Sequence, residues 1–120
     1  MDVTFFAEKE DCDLNSFEEV PEGSILGGGC FTKDQIGDLL GCFDCSASTL
    51  NDNLWLLPTS FSEQLVTIDD EQLKNAAVHW SDEHSWVNTN VNSMDLAGHL
   101  FELKYAYLSH SNKRVFALFE

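Results

Sequence analysis

The stretch from Arg114 to Phe119 constrains the fold more than any other part of the chain. Its apolar side chains alternate, with Val115, Ala117 and Phe119 on one face and Phe116 and Leu118 on the other. A strand that is apolar on both faces must be covered on both faces, so it does not suit a bare sheet edge. We therefore expect a central or covered strand that anchors a small sheet.

The rest of the chain supplies short strands and amphipathic helices. Strands are predicted at 3–7 and 54–57, with residues 61–66 as a further piece of sheet, and helices at 33–43, 69–80 and 94–109. Thr32 and Gln35 match a capping box before the first helix. Residues 23–29 are glycine-rich and predict a loop, with a short strand at 25–26, and residues 46–53 predict a polar turn. The order β-α-β-α-α-β predicts a single α+β domain, with a small, mostly antiparallel sheet packed with about three helices.

The charge balance bears on the partner. The 120 residues include 21 acids and six bases, a net charge of −15. This excess disfavours nucleic acid and anionic membranes, which are polyanions, and favours a basic protein surface. The start of the chain lacks the features of a signal peptide, and no apolar run is long enough to span a bilayer. We therefore expect a cytoplasmic protein whose cysteines are thiols.

The motifs that carry chemistry are incomplete. Cys42 and Cys45 form one CxxC pair, but Cys12 and Cys30 stand apart, whereas structural zinc sites use two such pairs. The glycines at 27–29 precede a helix without the lysine of a phosphate-binding loop. Acidic pairs at helix ends are explained by capping and solvation. We expect no catalytic residues, no metal and no cofactor, with a small thiol- or metal-dependent protein kept as a third interpretation.

An interaction surface fits the acidic segments better. Trp80 continues the apolar face of the second predicted helix and is expected in the core. Trp86 is the better candidate for an interface, where tryptophan is enriched, and the alternative is a loop in which Trp86 packs back on the core. The predicted partner-binding residues come from the acidic connector, the start of the second helix and the stretch after it: Glu10, Asp11, Asp13, Glu18, Glu19, Glu22, Asp69, Asp70, Glu71, Asp82, Glu83 and Trp86.

By its size, its acidity and its aromatic-rich half from Trp80 to Phe119, the chain resembles the immunity proteins of bacterial contact-dependent inhibition and polymorphic toxin systems. The resemblance implies a cytoplasmic inhibitor that binds one cognate toxin domain, commonly a basic nuclease, with no direct contact to nucleic acid or membrane. The alternative is a phage-type inhibitor that mimics nucleic acid, as in anti-restriction or anti-CRISPR proteins. That alternative predicts surface carboxylates that follow a phosphate track.

Overall fold

The sheet is built around the last strand, as its sequence predicts. The computed structural model describes residues 2–8, 20, 22–87, 89, 91–110 and 114–120. Within them, five strands form one antiparallel sheet in the order β2-β1-β5-β4-β3. The strands are β1 (Val3–Glu8), β2 (Ile25–Gly29), β3 (Ser48–Asn51), β4 (Leu54–Leu56) and β5 (Arg114–Phe119). The prediction of a central strand at 114–119 is confirmed.

Both faces of β5 are buried because the register aligns its apolar residues with those of its neighbours. β1 pairs with β5 from Val3 opposite Phe119 to Glu8 opposite Arg114. One face of the sheet carries Val115, Ala117 and Phe119 into the main core. The opposite face holds a second cluster, which consists of Phe6, Val20, Leu54, Phe116 and Leu118.

The glycine-rich run is an edge strand rather than a loop. β2 continues to Gly29 and pairs with β1, with Gly28 opposite Thr4. A Cβ atom on Gly28 would lie 2.5 Å from the carbonyl oxygen of Val3, closer than side-chain carbons approach backbone oxygens. The short strand predicted at 25–26 is confirmed, but the loop predicted for residues 27–29 is wrong, because the missing side chains allow close pairing with β1.

The helices pack on the face of the sheet that carries Val115, Ala117 and Phe119. In the described residues they are α1 (Lys33–Cys42), α2 (Thr59–Thr67), α3 (Asp70–Ser81) and α4 (Ser93–Ser109). Their buried side chains join the main core with residues of β1 and β5. This arrangement confirms the α+β class with an antiparallel sheet.

Local sequence signals account for three of these helices. Thr32 and Asp69 each form the predicted kind of capping box, with Gln35 and Gln72 as the reciprocal partners. The side chain of Asn92 caps α4 by accepting a hydrogen bond from the backbone N–H of Met94. The predicted helices at 33–43, 69–80 and 94–109 are confirmed to within one residue at either end.

Two elements differ from prediction. Residues 61–66 belong to α2 instead of the sheet, because Phe61 and Leu65, one helical turn apart, are both fully buried in the main core. Residues 48–51 form β3 instead of a turn; its side chains are largely exposed, so backbone pairing with β4 holds it in the sheet.

Candidate interaction surface

The 82–86 segment, which leaves α3 and ends in a 3₁₀ turn at His84–Trp86, lies against α1. The backbone N–H of Ser85 donates to Asp38 Oδ2 at 3.2 Å. Gln35 Nε2 donates to the Ser85 carbonyl oxygen at 3.5 Å. These two contacts from successive turns of α1 fix the segment beside the exposed face of the helix.

An aromatic cluster beneath the segment holds it in place. Trp80 is 1 % exposed, and its Nε1 donates to the Gln35 carbonyl oxygen at 2.7 Å. The ring centroid of Trp86 lies 5.6 Å from that of Trp80 and 6.1 Å from that of Phe31, with edge-to-face geometry in both pairs. Such pairs stabilise by about 0.5–1.5 kcal/mol beyond area burial. The predicted core position of Trp80 is confirmed.

Trp86 is half-buried and packs back on the main core. Its Nε1 atom is inaccessible to solvent and has no hydrogen-bond partner among the described residues. The exposed part of the segment is therefore formed by Asp82, Glu83 and His84. Trp86 packs between this exposed part and the main core, so only the accessible edge of its ring is open to a partner.

Cys42, the last residue of α1, connects the helix electrostatically to the segment. Its Sγ donates to Glu83 Oε1 at 3.9 Å. Burial, the charge and hydrogen bond of Glu83, and the charge of Asp38 together raise the pKa of Cys42 to about 11. At neutral pH the thiol is protonated, which makes it a poor nucleophile.

Carboxylates therefore come from two adjoining elements: Asp34 and Asp38 on α1, and Asp82 and Glu83 on the segment that the contacts of Asp38 and Cys42 hold against α1. We call these four residues the α1 carboxylate patch. Asp34 and Asp38 line one shallow depression together with Lys33, His84 and Ser85. Within the part of the chain that the structure describes, none of the four forms an ion pair with lysine or arginine.

The lysine that lines the same depression as Asp34 and Asp38 is engaged elsewhere. Lys33 Nζ donates to the carbonyl oxygen of Asp52 and lies 5.9 Å from the ring centroid of Phe119. Its ammonium group thus serves a backbone carbonyl and an aromatic face instead of a carboxylate. The patch keeps its negative charge available to an external cation.

The other predicted partner-binding residues lie apart from this patch or outside the described residues. Asp69, Asp70 and Glu71 stand at the first turn of α3, where the Oδ1 atom of Asp69 accepts from the Gln72 N–H at 2.8 Å. The twelve residues of α3 separate them from Asp82 by about 18 Å of helix. Glu22 begins a 3₁₀ turn at Glu22–Ser24. Outside the described residues lie Glu10, Asp11, Asp13, Glu18 and Glu19.

Sequence reasoning did not select Asp34 and Asp38. Their spacing of four residues, on the side of α1 away from the buried Ile36 and Leu40, was a local signal for an acidic helix face. Their proximity to Glu83 depends on the tertiary packing of the segment, which no local pattern encodes.

Three cysteines lie within the described residues. Cys30 is exposed, and the described cysteines at 30, 42 and 45 are all free thiols. The Sγ atom of Cys45 lies 3.2 Å from Ser60 Oγ and donates to the Phe43 carbonyl oxygen at 3.2 Å. Among the described residues, which exclude Cys12, no three histidine, cysteine or acidic side chains are grouped closely enough to hold a metal ion. The geometry of these residues supplies no metal-binding cluster for the thiol interpretation.

Comparison with protein-family models, with curated proteins and with solved structures found no match to this chain. Within the described ranges, no helix has both the length and the apolar character needed to cross a membrane.

Proposed function

We propose that this protein is a non-catalytic, cytoplasmic inhibitor that binds and neutralises a cognate basic toxin domain, such as a nuclease. The α1 carboxylate patch is the observation that carries the proposal. A nuclease holds phosphates in a cationic groove. The carboxylates of the patch, which pair with no lysine or arginine among the described residues, can occupy such a groove.

The arrangement of the patch suits a partner that must be captured quickly. Asp34 and Asp38 belong to a capped helix, and Glu83 belongs to a segment fixed by hydrogen bonds and edge-to-face aromatic contacts. Carboxylates that are already positioned need little ordering on binding, which lowers the entropic cost of association. The net charge of −15 adds long-range attraction, which raises association rates with basic partners.

A charge-neutralising pair of substitutions tests this role. Asp34→Asn combined with Glu83→Gln removes two charges from the patch, and Asp2→Asn combined with Asp44→Asn removes two charges from other exposed positions. Both variants and the parent protein are immobilised, and basic proteins are captured from a lysate of the source cells at 50 and 500 mM salt. The captured partner is then purified, its association rate is measured against salt concentration, and its enzymatic activity is titrated with each variant.

The proposal predicts capture of a basic toxin at low salt, inhibition of its activity, and an association rate constant at low salt that is at least tenfold lower for the patch pair than for the control pair. Equal loss in the two variants would place the interface elsewhere. Failure to retain any basic protein at 50 mM salt would refute a charge-driven interaction. Capture of a restriction or CRISPR component, in place of a toxin, would favour the inhibitor that mimics nucleic acid.

A further inference from the structure

α4 is apolar on two opposite sides. One side faces the main core through Leu96, Leu100, Leu103 and Tyr107. The other side carries Met94, Gly98, Phe101, Tyr105 and Leu108, and we call these five residues the α4 outer face. Their spacing alternates between four and three residues, which is the repeat of a helix that pairs lengthwise with another helix.

This outer face is open. Met94, Tyr105 and Leu108 are 61 %, 63 % and 53 % exposed, whereas Phe101 is half-buried. Shallow grooves run along both sides of the ridge, one against Ile25 and Leu26 of β2, and the other against Ser62, Glu63 and Val66 of α2. Scattered exposed apolar residues are ordinary, but a continuous stripe along one helix is typical of a docking surface.

Carboxylates border both sides of this stripe. Asp95 and Glu102 lie next to it on α4 and are exposed, and Glu63 lines the groove beside Leu108. The start of α3 lies on the same side of α4 as α2. Lys104 Nζ on α4 donates to the Ile68 carbonyl oxygen at 2.6 Å, and Ile68 directly precedes Asp69. Asp69, Asp70 and Glu71 therefore begin beside α4 near Lys104, with Lys74 one turn further along α3.

We infer that the α4 outer face docks an amphipathic helix whose apolar stripe is flanked by lysine and arginine. The apolar repeat selects a helix as the occupant, and the bordering carboxylates select its charge. α4 itself carries one lysine, Lys104, and its ammonium group already donates a hydrogen bond to the Ile68 carbonyl oxygen. A second copy of this chain is a poor occupant, because two such faces would bring like-charged borders together in a molecule with a net charge of −15.

The inference stands on α4 and does not depend on the α1 carboxylate patch, although both favour a basic partner. α4 has 17 residues and is about 25 Å long, enough to seat four turns of a partner helix. Asp69, Asp70 and Glu71 lie at the opposite end of α3 from the patch and border this second surface instead.

Synthetic peptides test the inference without a natural partner. The probe is a fluorescein-labelled peptide of 18 residues with leucine at alternating four- and three-residue spacing and lysine at the other positions. A second peptide has the same composition with the leucines dispersed around the helix, and a third has glutamate in place of lysine. Binding to the full chain is followed by fluorescence anisotropy at 150 mM salt.

The variant Tyr105→Ser/Leu108→Ser removes two exposed side chains of the outer face. Val78→Ser/Val87→Ser is the matched control, since Val78 and Val87 are 45 % and 58 % exposed on other elements. Circular dichroism and thermal unfolding establish that both variants are folded. We expect the first variant to bind the leucine–lysine peptide at least tenfold more weakly than the parent protein, and the control to stay within twofold.

Three results would overturn the inference: equal affinity for the dispersed peptide, equal weakening in the control variant, or a dimer of the parent protein that Tyr105→Ser/Leu108→Ser dissociates. The variant Asp34→Asn/Glu83→Gln separates this surface from the proposed inhibitory one. It is expected to retain peptide binding while losing affinity for the toxin domain, so either proposal can fail while the other holds.

Discussion

Replacing Glu83 by glutamine is expected to lower the pKa of the Cys42 thiol, because Glu83 stabilises the protonated form. The thiol and Glu83 Oε1 are 3.9 Å apart. Both groups are partly open to solvent, so the dielectric constant of water applies, and the charge of Glu83 contributes about 1 kcal/mol at this distance. That energy corresponds to a decrease of roughly 0.8 in a pKa that now lies at about 11.

The assay is alkylation by iodoacetamide between pH 7 and 11, followed by peptide mass spectrometry that reports each cysteine separately. At pH 9 the thiolate fraction of Cys42 rises about sixfold in Glu83→Gln, since a change of 0.8 in pKa alters the ratio of the two forms by that factor. Cys30, which is exposed and is measured in the same digest, controls for differences in the activity of the reagent between samples. The variant Asp82→Asn, with the same charge change one residue away, is expected to leave Cys42 nearly unchanged.

The same ionisation links stability to pH. The pKa of Cys42 is higher in the folded protein than its ordinary value of 9.0. Folding therefore favours the neutral thiol, and this contribution to stability is complete below pH 9 and is lost as the pH rises towards 11. Glu83→Gln should reduce that loss in urea unfolding. If Cys42 in Glu83→Gln were alkylated with the same pH dependence as in the parent protein, the 82–86 segment would not lie against α1. The α1 carboxylate patch would then lose its basis.

The remaining predictions concern stability in urea unfolding. Gly28→Ala should cost about 1–3 kcal/mol because its Cβ would meet the carbonyl oxygen of Val3. Gly37→Ala, where an added Cβ meets nothing within 4 Å inside α1, should stabilise by about 1 kcal/mol, so a loss here would contradict the helical packing. Tyr107→Phe should stabilise by about 1 kcal/mol, because the buried Tyr107 hydroxyl has no partner among the described residues; a marked loss would reveal an undetected hydrogen bond. Asp69→Ala should cost about 1 kcal/mol by removing the α3 cap, and no change would mean that the cap is not formed.

The sequence predicts those elements whose own residues carry both a boundary signal and a periodic apolar face. α1 and α3 have capping boxes at Thr32 and Asp69. β5 has apolar residues on both faces, and this pattern alone places it inside the sheet. These features are local, and the tertiary structure reinforces them.

Elements held mainly by distant contacts were missed. α2 has two fully buried anchors, Phe61 and Leu65, which fit a short strand or a short helix equally well before the core is known. β3 exposes most of its side chains and forms because β4 offers a backbone partner. In both cases the deciding interaction lies outside the segment itself.

The candidate site divides in the same way. The acidity of Asp82 and Glu83 was visible in the sequence, and so was the four-residue spacing of Asp34 and Asp38. What joins the two groups is the aromatic cluster of Phe31, Trp80 and Trp86, which holds the segment against α1. The sequence left the orientation of Trp86 open, because Phe31, one of its two aromatic partners, lies far away in sequence.

The central position of β5 has a consequence for synthesis in the cell. β1 with β2 and β3 with β4 are two hairpin ladders that are linked to each other in the sheet through β5. A ribosome makes this connecting strand after every other described element, so the sheet cannot close before residue 119 has emerged. A premature stop codon before Arg114 would leave two unconnected ladders with unpaired inner edges. We expect such a truncated chain to be degraded as an unfolded protein, instead of persisting with slightly lower stability.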